Sequence, residues 1–364
     1  MVEITDAVVH AFYLFDVAAG VDLPALERRF GPHVTKAQLI DKEPGPPRVK
    51  YAQPPVVIDG PAFDLVGIGD FRLQVKFFDY GVVSLRLSRR FAGSWAELVQ
   101  VAQDLIESEG LEQQALTTCR AIVDRTREAL VAPRTTFLSE DYLVFAVHGL
   151  DEPCDGAAVL ERHALEISQM LRGERARLSA QERDEVLRHR LSYLAGDLVI
   201  PAWNAAFVLD NEAAAAPTLE ILELVNSQLL EFRFHDEELE SELGRIYKSL
   251  QQPRWTDRFV AWRHARATVR LHALFVDVNE LTDRLENAVK LVGDVYSARL
   301  FGLAAARLGL DAWKRNVEQK MKTLDDIYRF AVEQTGVTQG NTMEFVIVLI
   351  LLLELGLLLA GLMK

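Results

Sequence analysis

Met343–Lys364 reads MEFVIVLILLLELGLLLAGLMK, and the expected architecture follows from how this stretch is taken. Between Phe345 and Met363 the only ionisable residue is Glu354. A helix over those positions would rise about 28 Å, close to the roughly 30 Å hydrocarbon core of a bilayer. Leu, Ile, Val and Phe dominate it, and their summed insertion energy outweighs the roughly +3 kcal/mol of one central carboxylate. Asn341 followed by Glu344 reads as a helix start with a reciprocal carboxylate cap. The expectation is a transmembrane anchor over 343–363, with the polar body on one side of the membrane.

Working outward, the formal charge of −13 argues against broad attraction to nucleic acid or anionic lipid. Two cysteines, Cys119 and Cys154, without a CxxC pair, fit a reducing compartment. The first ten residues lack the pattern of a secretory leader, so the body is expected in the cytoplasm.

Residues 1–150 suggest an α/β or α+β domain in β-α-β-β-β-α-α-β order. VVHAFYLFDV at 8–17 has the content of a buried strand, and Asp22–Phe30 can form a short helix. The proline-rich KEPGPPRVKYAQPP at 42–55 reads as a connection. Leu73, Val75 and Phe77 alternate with polar Gln74 and Lys76, and Asp79-Tyr80-Gly81 turns the chain into Val82–Leu87. Ser94 and Glu97 form a capping-box pattern for the next helix, and DYLVFAVH at 141–148 returns to strand.

Residues 156–335 are expected to form a helical domain, with helices near 159–171, 179–209 and 217–250. Leu271, Leu274, Val278, Leu281, Leu285, Ala288, Val292 and Val295 repeat at intervals of three and four, the seam of a coiled-coil-like helix over 257–308. Gly309 can end it, and Val317, Met321 and Leu324 continue a similar seam in an antiparallel neighbour.

Catalytic signatures are weak. Gly67-Ile68-Gly69 lacks the third glycine of a dinucleotide fingerprint, and GK[ST] and GxSxG sequences are missing. The acidic run from His235 to Glu240 reads as a solvated helix face. No catalytic residue, cofactor or metal is expected. Arg263, Arg266 and Arg270 can share one helical face as a contact for an anionic partner, lipid phosphate or RNA, although nucleic acid is not favoured. Glu354, near mid-span, is expected to serve membrane assembly.

Three segments resemble the family named for a protein required for meiotic nuclear division (domain of unknown function 155). Met343-Glu344-Phe345, VIVLILL and Leu353-Glu354-Leu355 resemble its closing LEW and IEV motifs, which places its acidic positions at Glu344 and Glu354. Val317-Glu318-Gln319-Lys320-Met321 resembles its VxNxKL helix motif. Phe78-Asp79-Tyr80-Gly81-Val82-Val83 is similar to its aromatic-x-Tyr-Gly-Val-Val turn. The resemblance implies a divergent bacterial-type member in the inner membrane, acting as a tether more than a catalyst.

The leading expectation is therefore a single-pass scaffold for protein–protein assembly, homo-oligomeric or bound to a membrane protein. A membrane-associated RNA- or ribosome-binding adaptor is the second reading, and a hydrolase or nucleotide-dependent enzyme the third.

Overall fold

The computed structural model describes residues 2–31, 34–36, 53–60, 63–65, 69–251, 274–276, 278–279, 281, 295–327 and 329. They fall into two compact units: 1–234 with 280–314, and 235–279 with 315–364.

The first unit is built on an antiparallel core of long strands. β1 (Ile4–Val21) is central, pairing antiparallel with both β6 (Val82–Gly93) and β7 (Leu130–Leu150). β5 (Gly69–Phe77) pairs β6, followed outward by β3 (Val56–Asp59) and β2 (Val34–Lys36), while β4 (Phe63–Leu65) folds onto β5. On the other side β9 (Ala205–Leu209) pairs β7 in parallel, and β8 (Leu198–Pro201) closes that edge. The order among the described residues is β2-β3-β5-β6-β1-β7-β9-β8.

The helices follow local signals. α1 (Leu23–Phe30) starts where Asp22 accepts the Ala25 N–H. α2 (Trp95–Ile106) starts on the expected capping box, Ser94 with Glu97. α3 (Glu109–Thr126) leads into β7, and α4 (Gly156–Arg172) and α5 (Ala180–Arg188) carry the crossover that the parallel β7–β9 pair requires. α6 (Glu212–Gln251) is 40 residues long, with Pro217 in an early turn. α7 (Val295–Arg307) ends at Gly309, whose φ is +70°.

Two faces of the sheet are covered. Val9, Ala11, Tyr13 and Phe15 of β1, Leu73, Val75 and Phe77 of β5, and Val83, Leu85 and Leu87 of β6 form one apolar cluster with Trp95, Leu98, Cys119 and Ile167 of the helices. The alternate residues, including Phe12, Leu14, Lys76, Ser84, Tyr142 and Val144, are buried on the opposite face, where α6 lies.

The expected helix over 179–209 is corrected. LVIP and AAFVL form β8 and β9, fully buried. Short apolar runs carry no period that separates strand from buried helix, and their neighbours in the sheet decide. The seam expected over 271–295 is described at Leu274, Val278 and Leu281, which are buried, and at Val295, which is 78% exposed.

The membrane part of the expected architecture is corrected as well. Among the described residues no helix is long and apolar enough to cross a membrane. Even α6, the longest, carries charges along its length, from Glu212 through Glu223 and Glu231 to Lys248. The stretch 343–363, with Glu344 and Glu354, lies outside the described residues. The structure is a mixed α/β unit with long helices, and the single-pass anchor, the bilayer partner, the inner-membrane location and the membrane-tether role find no support in it.

Candidate functional site

The face of the sheet under α6 is unusually polar for a buried layer. Successive outward positions of β5 and β6 carry Lys76, Ser84, Arg86 and Ser88, and the cross-strand register sets Lys76 beside Ser84 and Ser84 beside Leu14 of β1. Glu220, Glu223 and Ser227 recur on α6 at helical spacing and meet this face. Lys76 Nζ donates to Glu220 at 2.7 Å and to Glu223 at 2.5 Å. Arg86 donates to Glu220 at 3.1 Å and also to Glu223.

The Glu223 carboxyl feels opposing effects. Burial alone would raise it, but Arg86 and Lys76 outweigh burial and hold it below its ordinary value. His10, sharing a 2.8 Å hydrogen bond with Ser88, is pushed down to about 3, first by burial and then by the Arg86 charge. These charges saturate one another, so the seam is a fastening.

The expected turn motif belongs to the same seam. Tyr80 Oη and Ser227 Oγ are 2.6 Å apart. Gly81 has φ +97°, and a Cβ there would fall 1.9 Å from the Ala18 carbonyl oxygen. Only glycine lets the β5–β6 turn lie this close to β1. Asp79 offers its carbonyl to Val21 N–H at 2.8 Å. Arg263, Arg266 and Arg270 lie outside the described residues. The acidic run on α6 belongs to the second unit, where Asp236 and Glu240 hold Lys320 at 3.1 and 2.8 Å. Among the described residues no group of three His, Cys, Asp or Glu could hold a metal.

A second constellation opens to solvent. The parallel pairing of β7 and β9 stops where β9 ends: Val147 is level with Leu209, and Asp210 N–H continues the ladder to the Val147 carbonyl at 3.1 Å, while β7 runs on to Leu150. Where the pairing stops lies a cleft of about 150 Å³ lined by residues that include His148, Glu152, Cys154, Gly196, Asp210 and Asn211.

Its polar groups are held in place. His148 Nδ1 lies 2.8 Å from the Asp210 carbonyl oxygen, which can only accept, so Nδ1 carries a proton. In the neutral ring this leaves Nε2 as an acceptor. Asp210 Oδ1 accepts from Asn211 N–H at 2.8 Å and from its side-chain amide at 3.2 Å. Burial raises the Asp210 carboxyl above its ordinary value; the Asn211 N–H opposes this and Asp197 adds to it. Asp197 accepts the Tyr193 and Leu194 N–H groups, each at 2.7 Å, and so shapes the loop carrying Gly196. Cys154 Sγ receives an Arg162 N–H at 3.5 Å.

Neither constellation stood out in the sequence. The seam was signalled by polar residues at alternate positions of β5 and β6 and by acids three apart on α6. The cleft was signalled by two apolar runs, VFAV and AFVL, each closed by a polar residue, His148 and Asp210.

No solved structure matches the chain. A curated relative, "Uncharacterized protein MJ0711" of Methanocaldococcus jannaschii, is 24% identical over 216 residues, covering 59% of this chain and 66% of that protein, just under two thirds of its length. A family described as "Uncharacterized protein MJ0711, N-terminal domain" matches residues 6–215, the span of the nine-stranded sheet and the start of α6. This corrects the resemblance to the meiotic nuclear division family. That resemblance rested on short apolar and acidic spacings in the tail, in a helix and in one turn, patterns that many helices and hairpins satisfy. Because the match runs over more than half of the sequence, the chain belongs to the family of the MJ0711 N-terminal domain.

Proposed function

We propose that the chain is a binding protein whose first unit receives a small polar ligand in the cleft beyond β7 and β9, without converting it. The reading is carried by the convergence of His148 and Asp210 where the parallel β7–β9 pairing stops, over a cleft of about 150 Å³. A cavity of about that volume accommodates a molecule the size of benzene, so the bound group is a small molecule or the end of a larger one. The local chemistry favours binding over catalysis. Cys154 is partnered by an arginine and His148 by a backbone carbonyl, and a nucleophile works beside a base.

Gly196 provides the test. Gly196 lines the cleft and a Cβ there meets nothing within 4 Å, so Gly196→Phe adds bulk at the cleft without a clash at Cβ. A fragment screen by ligand-observed NMR should find binders of the native protein that the filled variant loses. A binder set identical for the two proteins would place any binding elsewhere and refute the reading.

A further inference from the structure

Resting on the cleft reading, we propose that the ligand is a small organic cation, a primary ammonium or guanidinium group, received by Asp210 and by Nε2 of His148. The argument is an inventory of what the cleft has left to offer. Both neighbouring helix starts would ordinarily favour an anion. Here they are already satisfied. At α4 the Gly156 N–H bonds the Ala195 carbonyl at 2.8 Å, and the Ala158 N–H bonds the Asp155 carboxylate at 2.7 Å, which brings a negative charge of its own. At α6 the Asn211 side chain takes the Ala214 N–H at 3.0 Å, and the Asn211 N–H is taken by Asp210.

The arginine beside Cys154 is committed as well. Arg162 donates to Cys154 and lies 3.9 Å from Glu152. What remains at the cleft is acceptor capacity: the second oxygen of Asp210 and Nε2 of His148 with its proton fixed on Nδ1, since Glu152 already faces Arg162. A ligand that donates several hydrogen bonds and carries positive charge satisfies both. A phosphate or carboxylate would face the Asp210 carboxylate, and among the described residues that line the cleft there is no lysine or arginine to offset it.

The test compares probes of matched size on the full chain: methylguanidinium and ethanolamine as cations, glycerol as a neutral donor, and acetate and inorganic phosphate as anions. Binding is followed by amide shift changes at His148, Asp210 and Gly196 in the native protein, in Gly196→Phe and in Asp210→Asn. The asparagine keeps the acceptor for Asn211 while removing the charge, and near-ultraviolet circular dichroism confirms that each variant is folded. The expected result is that both cations bind, that Gly196→Phe abolishes binding, and that Asp210→Asn weakens it at least about tenfold. Glycerol or an anion binding in the cleft where the cations do not would overturn the charge assignment and leave the cleft reading standing. Cation binding that persists in Gly196→Phe, or that is unchanged in Asp210→Asn, would also overturn it. Silence from all five probes would remove the cleft reading together with the ligand class.

Discussion

Lys76 and Glu223, 147 residues apart in the chain, meet at 2.5 Å under α6, with 3% and 0% of their side chains exposed. An ion pair so far from water stabilises little over a well-packed apolar pair, but breaking one partner strands the other charge.

Glu223→Leu should therefore cost about 3–5 kcal/mol in urea denaturation, since Lys76 and Arg86 would keep only Glu220. Adding Lys76→Met should recover part of that loss, because the stranded ammonium goes with it. Equal stability of the single and double variants would mean that the two residues are not coupled.

The Tyr80-Gly81 turn should separate two kinds of cost. Tyr80→Phe removes the buried hydroxyl and its contact with Ser227, and should lose about 1–2 kcal/mol. Gly81→Ala must place a methyl 1.9 Å from the Ala18 carbonyl oxygen at φ +97°, so the turn has to move, with a loss of about 3 kcal/mol or more. Thermal unfolding of the two variants side by side reads the ranking, and a milder effect at Gly81 than at Tyr80 would contradict it.

His10 makes the fold acid-sensitive. Its folded value of about 3 lies below the ordinary 6.5, so its contribution is complete above pH 6.5. As pH falls from 6.5 toward 3 the unfolded chain takes up a proton that the folded ring refuses, and stability drops by up to about 1.4 kcal/mol per pH unit. His10→Asn should flatten the decline between pH 6 and pH 4 in a denaturant series. A slope unchanged by the substitution would assign the acid sensitivity to other groups.

Trp95 and His163 stack with centroids 4.3 Å apart, and burial lowers the His163 value. Both of its ring nitrogens lack a hydrogen-bond partner. His163→Phe keeps the stack and removes the unsatisfied atoms, so it should raise stability by about 1 kcal/mol. A destabilised variant in the same calorimetric scan would show that the imidazole is needed.

The two cysteines should differ in reactivity. Cys119 is fully buried, and burial pushes its thiol up, so it should stay inert while the protein is folded. Cys154, half-buried at the cleft, should react with a chromogenic disulfide reagent in native protein, and Cys119 only after denaturant is added. Two equivalents released at once from native protein would count against the core packing around α3.

Much of this protein was decided by local sequence. The Ser94–Glu97 cap, the Asp22 helix start and the early Pro217 of α6 rest on interactions within a few residues, which is why spacing alone located them. Tertiary structure decided the rest. Lys76, a polar residue alternating with the apolar face of its strand, lies buried because Glu220 and Glu223 arrive from 144 and 147 residues away to neutralise it. LVIP and AAFVL became strands because β7 offered an edge for parallel pairing. His148 and Asp210 became neighbours only through that pairing. Periodicity reports which residues share a face, while the identity of what covers the face, or of what stands beside a strand end, depends on contacts that no local pattern encodes.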